Sequence, residues 1–385
     1  MQAFSFYTVP HLVIERGSSS RLGDLLLQRI KPSRACVVTD AFLHRSGLIA
    51  PALRNLAEAG FETLVIDGVQ ADPPDNVVEK VAQQTRDFGA QAVIGIGGGS
   101  SMDVAKLVAV LAAPNAQPLS SMYGIGQVQG ERLPLVQVPT TAGTGSEVTP
   151  ISIVTTGATT KSGIVSRQLY ADMAILDAEL TLMLPREITA ATGIDAMVHA
   201  IEAFTSRNLK NPLSDQLALH AFVLLSRNLL KVCGNPKDIE SREAMLLGSC
   251  LAGQAFANAP VAAVHALAYP LGGRFGLPHG LSNALVLVPV LRFNAKTAPQ
   301  AYEALAETFL PGLQGTAPEK AEAFISHLEM LIGATGLPLR LRDHGIKQED
   351  ISVLAADAMQ QTRLLVNNPR EVTQPDALAI YQSAF

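Results

Sequence analysis

Asp195 and His199 stand four residues apart in ATGIDAMVHAIEAF. On a helix that spacing puts an oxygen donor and a nitrogen donor on one face, about one turn apart. Such a pair suits a divalent ion, although an Asp and a His so placed more often simply hydrogen-bond. Two further histidines enlarge the set. His265 lies in the apolar stretch AAVHALAYP, and His279 sits between Pro278 and Gly280 near the start of another segment. A single histidine on an apolar face is ordinarily a satisfied core residue. Here, however, three of the chain's eight histidines fall in apolar settings within one region. With Asp195 they make a possible set of three nitrogens and one oxygen, which suits iron(II) or zinc(II). His11, His44, His220, His327 and His344 lack such a context and read as structural or exposed.

Two other segments have the chemistry of phosphate binding. The strand-like run 91–97 leads directly into Gly97, Gly98, Gly99, Ser100 and Ser101, and then into a helical segment, 102–111. Glycines at a strand-to-helix turn let a phosphate approach the backbone, and the helix N-terminus offers free N–H groups and a partial positive charge. A tight glycine turn without a ligand would read the same way. The run also departs from the dinucleotide fingerprint: Ser100 occupies the place of the third glycine, and no acid follows about 20 residues on. The second segment is Pro139-Thr140-Thr141-Ala142-Gly143-Thr144-Gly145-Ser146-Glu147, again straight after a strand-like run. Its hydroxyls and glycines suit a pyrophosphate or ribose, or else cap the next element. Two such loops at strand ends favour a ligand, because open α/β sheets bind at that edge.

The elements that must carry these residues fall into two halves. Strand-like runs at 34–40, 62–69, 91–97 and 133–141 alternate with helical spacing, as in Val77, Val78, Val81 and Phe88. That alternation predicts a parallel sheet with helices on both sides, its strands apolar throughout because both faces are buried. After Pro185 the segments 213–231, 241–258, 320–335 and 350–366 all read as helices. The expected organisation is therefore an α/β domain over 1–184 and an all-helical domain over 185–385, reasonable for 385 residues.

Composition limits the function. The net charge is −5 with no long basic run, which argues against a nucleic-acid partner. The start of the chain, MQAFSFYTVPHL, lacks a signal-peptide pattern, and no unbroken apolar run approaches the ~18 residues of a membrane span. Cys36, Cys233 and Cys250 are odd in number and far apart, so a reduced, cytoplasmic setting is expected.

Four segments, GIGGGSSMDVAK (95–106), PTTAGTGSEVT (139–149), GIDAMVHAIEA (193–203) and HALAYPLGGRFGLPHGLSNA (265–284), together resemble the iron-containing, or group III, alcohol dehydrogenase family. The resemblance spans essentially the whole chain, with the segments in the family's order and spacing. It implies an N-terminal nucleotide-binding domain, a C-terminal helical domain and an active site in the cleft between them. It implies that Asp195, His199, His265 and His279 are the ligands of one divalent metal, iron(II) before zinc(II). Gly97, Gly98, Gly99, Ser100, Ser101 and Asp103, with Thr140, Thr141, Thr144 and Ser146, would hold the dinucleotide. Asp40 matches the position that accepts the adenosine ribose hydroxyls, and a carboxylate there repels a 2′-phosphate, favouring NAD over NADP. Asp72, in Ala71-Asp72-Pro73, replaces the family's usual Asn, and Lys161 matches a position near the nucleotide. Tyr269 stands where many members have a second histidine, four residues after His265; it either joins the proton relay or only shapes the pocket.

The implied activity is reversible hydride transfer between an alcohol and NAD, in a homo-oligomer such as a dimer. Alternatives are a hydroxy-acid dehydrogenase or transhydrogenase of the same superfamily, with Arg274 or Arg167 meeting a carboxylate, a metal-dependent hydrolase, and a non-catalytic binding protein.

Overall fold

The computed structural model describes residues 3–31, 33–157 and 160–385. The chain divides into two compact units. Thr8–Met183 forms one, and Leu184–Phe385 with the initial residues 3–7 forms the other.

The first unit is built on strands β1 (Leu12–Ile14), β2 (Arg34–Val38), β3 (Glu62–Ile66), β4 (Ala92–Gly97), β5 (Gly124–Ile125), β6 (Leu135–Pro139), β7 (Ile151–Thr156), β8 (Thr160–Val165) and β9 (Met173–Leu176). Six of them form a wholly parallel sheet in the order β1-β9-β6-β4-β2-β3. Side chains alternate across it. Ala35 and Val37, Ile94 and Ile96, and Val136 and Val138 enter one core with Leu22, Leu26 and Leu56. The intervening residues meet helices on the other side. Cys36 contacts Thr85 of helix Asp75–Phe88, and Gln137 donates to the Met102 carbonyl of helix Gly99–Leu111. Gly95 lies so close to Ala105 that a Cβ there would come within 2.8 Å of the Ala105 Cβ. Every residue of β4 and β6 is buried, as expected of strands covered on both faces.

Two edges of this architecture differ from the sequence expectation. The sheet gains β1 and β9, each too short to show a period. A separate sheet, β5-β8-β7, pairs β7 and β8 antiparallel.

Among the described residues, every regular element of the second unit is helical. Helices Arg186–Thr205, Pro212–Gly234 and Ile239–Asn258 pack on one another, and Ala263–Phe275 and His279–Ala295 follow. Gly193 and Gly248 permit the first contacts: a Cβ on Gly193 would lie 2.6 Å from Leu229, and one on Gly248 2.8 Å from Leu225. By length and composition Pro212–Gly234 passes as a membrane span despite the broken apolar runs of its sequence, but it packs here against two neighbouring helices. The stretch expected as one helix over 350–366 breaks into Ile351–Ala358 and Thr362–Leu365, with no proline or glycine to announce the break. Residues 3–7 join this unit through a reciprocal pair of bonds. The Tyr7 N–H donates to Asn258 Oδ1 and Asn258 Nδ2 donates to the Tyr7 carbonyl, each at 2.8 Å.

Candidate metal centre and dinucleotide loops

Helix Arg186–Thr205 is apolar nearly all round and is buried on almost every side, so its Asp195 and His199 are carried into the interior. Helix Ile239–Asn258 ends at a sharp break, and the next helix leaves at 106°. His265 falls in the first turn of that next helix, Ala263–Phe275. His279 is the first residue of helix His279–Ala295. It reaches the others because Gly280 meets the earlier helix backbone to backbone; a Cβ on Gly280 would stand 2.4 Å from the Ala191 carbonyl oxygen.

The four side chains converge. One ligand atom from each lies within 4.8 Å of all the others. The Nε2 atoms of His199, His265 and His279 lie 3.9, 3.7 and 3.6 Å from Asp195 Oδ1. His199 Nε2 and His265 Nε2 face each other at 3.0 Å. Asp195, His199 and His265 are buried, whereas the His279 side chain is 38% exposed and forms the open side.

The surrounding residues fix these rings. Glu202 Oε2 sits 2.7 Å from His265 Nδ1 and accepts from the Ala262 N–H at 3.0 Å, while Oε1 accepts from the Val264 N–H at 2.6 Å. The carboxylate thus takes up free N–H groups at a helix start and the His265 Nδ1 proton together. That assigns His265 the tautomer whose Nε2 lone pair points into the cluster. Phe256 stacks on the His199 ring with centroids 4.3 Å apart. Asn283 Nδ2 donates to Asp195 Oδ1 at 2.6 Å and lies 3.4 and 3.3 Å from His265 Nε2 and His279 Nε2. Asn283 Oδ1 is buried without a partner. Burial pushes the Asp195 carboxyl up, but the imidazoles of His199, His279 and His265 and the Asn283 amide outweigh it and hold it below the ordinary carboxylate value. An Nε2 lone pair, further ring nitrogens and an ionised oxygen, with one amide as the side-chain donor directed among them, form an acceptor-rich pocket. The donor set fits a divalent cation.

Tyr269 is half-buried one turn beyond His265, its ring centroid 6.0 Å from that of His279. Arg274 is engaged by Asp357. Arg167 belongs to the other unit.

In the first unit the two glycine-bearing loops lie side by side. The Thr140 N–H donates to the Gly97 carbonyl at 3.0 Å. A Cβ on Gly99 would come within 2.8 Å of Thr144 Cγ2, one on Gly97 within 2.7 Å of Ser101 Oγ, and one on Gly98 would rest against Thr141. Asp72 adopts φ 54°, donates its N–H to Ser100 Oγ at 3.3 Å and forms an ion pair with Lys161. Asp40 caps helix Ala41–Arg45 by accepting from the Leu43 N–H at 3.0 Å. Asp103 and Ser146 bond to each other, with Ser146 Oγ donating at 2.6 Å.

Sequence reasoning missed Glu202, Asn283, Lys106 and Glu147. Glu202 follows His199 by three residues and Asn283 follows His279 by four, so helical spacing placed each on the face of a metal-site histidine, although Glu202 bonds to His265 of another helix. Nothing in the spacing marked Lys106 or Glu147 as buried.

The fold and the cluster define a class: an α/β unit with strand-end glycine loops joined to a helical unit holding a His/Asp metal site. Comparison with known proteins agrees. The profile of the family described as iron-containing alcohol dehydrogenase matches residues 10–178, and that of the C-terminal part of the Fe-containing alcohol dehydrogenase family matches residues 189–385. The long-chain-alcohol dehydrogenase 1 of Geobacillus thermodenitrificans is 40% identical over 365 residues, covering 93% of this chain and 91% of that protein. The NAD-dependent methanol dehydrogenase of Bacillus methanolicus is 34% identical, covering 99% of this chain and 100% of that protein. The solved structure of an alcohol dehydrogenase from Oenococcus oeni superposes with a TM-score of 0.95 at 30% identity, each chain covered in full. The chain belongs to the iron-containing alcohol dehydrogenase family and is an oxidoreductase of that type.

Proposed function

We propose that the protein is a metal-dependent, NAD-linked dehydrogenase that interconverts a small alcohol with its aldehyde or ketone. The observation that carries the reading is the acceptor-rich convergence of Asp195, His199, His265 and His279 within 4.8 Å. In this reading those four residues hold the metal, iron(II) in preference to zinc(II). Gly97, Gly98, Gly99, Ser100, Ser101, Thr140, Thr141 and Thr144 cradle the dinucleotide, and Asp103 and Ser146 brace that cradle. Asp40 meets the adenosine ribose, with Asp72 and Lys161 nearby. A relative named as NAD-dependent supports the choice of cofactor.

When bound, the metal supplies Lewis acidity toward the substrate oxygen and NAD supplies the hydride acceptor. The chain supplies the geometry. Glu202 keeps His265 Nε2 unprotonated and aimed inward. Phe256 restrains the His199 ring and keeps water from that side. The exposed flank of His279 leaves room for a small substrate. Tyr269 lies beside that flank, its ring centroid 6.0 Å from that of His279, and shapes the pocket there. Binding on rigid helices fixes the reacting atoms' approach, which is the protein's main share of the rate.

Three buried cysteines outside any disulfide support a reducing, cytoplasmic setting, and the family resemblance supports a homo-oligomer. The hydrolase reading explains the metal residues but not the paired strand-end loops.

The test is metal-resolved activity. The protein is stripped with chelator and reconstituted with iron(II) under anaerobic conditions, with zinc(II), or with no metal. NADH formation is then followed with short primary alcohols, diols and 4-hydroxybutyrate. Turnover only with metal is expected. A preference for 4-hydroxybutyrate would move the substrate to the hydroxy acids, and failure to bind either metal or NADH would overturn the reading.

A further inference from the structure

We propose that Lys106 is a positioning residue for dinucleotide binding: its buried ammonium clasps the segment after the Thr140–Ser146 loop to the helix that begins at the glycine turn. The inference rests on the reading that these two loops hold NAD.

Lys106 lies in helix Gly99–Leu111 and is 0% exposed. Removing an ammonium from water is costly unless its protons find strong acceptors. Here each does. Nζ donates to Ser146 Oγ at 2.7 Å, to Thr149 Oγ1 at 3.2 Å and to the Ile151 carbonyl at 2.6 Å. The Asp103 carboxylate, one helical turn earlier, lies 3.5 Å from Nζ. It reaches the same segment, accepting from Ser146 Oγ at 2.6 Å and from the Ile153 N–H at 2.9 Å. Ser146 Oγ therefore accepts from the lysine and donates to the aspartate. One positive and one negative side chain from a single helix grip the stretch 146–153 through five hydrogen bonds to four atoms.

An aliphatic side chain would fill the same space in the helix without the desolvation cost, so packing alone does not call for a lysine. The loop does. Its sequence TTAGTGSE has two glycines and few apolar side chains, so it has much backbone freedom to lose and little burial to offset the loss. The clasp fixes the far end of the loop, where it runs into β7. The hydroxyls of Thr140 and Thr141 take no part in it. The loops meet through the Thr140 N–H bond to the Gly97 carbonyl and through close packing of Gly98 against Thr141 and Gly99 against Thr144. Glu147, beside Ser146, is buried with Oε1 unpartnered and is attracted to the same ammonium. The arrangement preorganises a phosphate cradle before ligand arrives, which is where affinity is gained.

The test uses the full-length, metal-loaded protein and the variants K106M and T149V, with NADH as probe. NADH dissociation constants come from fluorescence titration, alongside metal content, thermal melting and the KM and kcat for NAD. K106M is expected to weaken NADH binding and raise the KM for NAD by about tenfold or more, with metal content and saturated turnover within about threefold. T149V, which loses one acceptor without touching the glycine turn, is expected to weaken NADH binding by about two- to threefold. NADH affinity unchanged in K106M overturns the clasp while leaving the loops as the NAD site. If K106M does not fold, T149V decides, and wild-type affinity in T149V overturns the clasp. Failure of the wild-type protein itself to bind NADH would remove the NAD reading and the clasp with it.

Discussion

The two units bury charge in opposite ways. In the α/β unit, Lys106 and Asp103 satisfy one another and a loop, with ammonium protons and carboxylate oxygens matched to partners. In the helical unit, Asp195 and three imidazoles turn a carboxylate oxygen and ring nitrogens toward a common point, with two of those nitrogens only 3.0 Å apart. A cluster that closes on itself shapes backbone. A cluster that leaves its lone pairs facing inward asks for a cation. The contrast distinguishes a scaffold from a binding site without reference to sequence similarity.

The largest effect should come from breaking the open cluster. H265A removes one nitrogen and leaves Glu202 buried without its imidazole partner. Loss of an outer partner alone typically costs ~10–100-fold in metal affinity, so loss of this ligand should cost at least ~100-fold. Chelator competition measures it, and turnover should fall with metal content. Full metal content together with full turnover would refute the ligand assignment.

The closed cluster has a weak point in Glu147, whose carboxyl burial pushes up to about 7 from 4.5. The folded protein then holds a proton there that the unfolded chain has released. The contribution is most favourable below the unfolded value of 4.5 and is lost as pH rises to about 7. E147Q should remove that slope. Its stability relative to wild type should rise between pH 4.5 and 7 by at most ~3 kcal/mol, read from denaturant melts at a series of pH values. A difference that does not vary with pH would show that Glu147 stays ionised.

The smallest effect is expected at the open side of the metal cluster. Y269F keeps the ring beside His279 and should leave metal content unchanged and turnover within about threefold. A loss of ~100-fold in the kcat–pH profile would instead assign proton transfer to the Tyr269 hydroxyl.

Much of this contrast was legible in the sequence. The glycine turn is local: a strand, three glycines and a helix in one short run. Asp195 and His199 are local as well, one helical turn apart. His265 and His279 were visible as histidines in apolar settings, but their meeting depends on the break after Asn258 and on the Gly280 contact, which arise from packing. Glu202 and Asn283 carried a spacing signal that went unread. Lys106 carried none, because lysine in a helix ordinarily faces solvent and only the partners at 146–151 explain its burial. Strand β1, three residues of LVI, is too short for any alternation to appear, and β7 and β8 were not anticipated among the strand-like runs.

The bond pair between Tyr7 and Asn258 also bears on how the protein can be divided. Residues 3–7 belong to the helical unit, and the chain then passes through the whole α/β unit and returns at Leu184. A fragment starting at Leu184 would therefore lack the strap that satisfies the Asn258 amide, and Asn258 ends the helix just before the turn that leads to His265. Expressing the metal-holding half alone calls for a rejoined chain, with the 3–7 strap restored by a linker to residue 184.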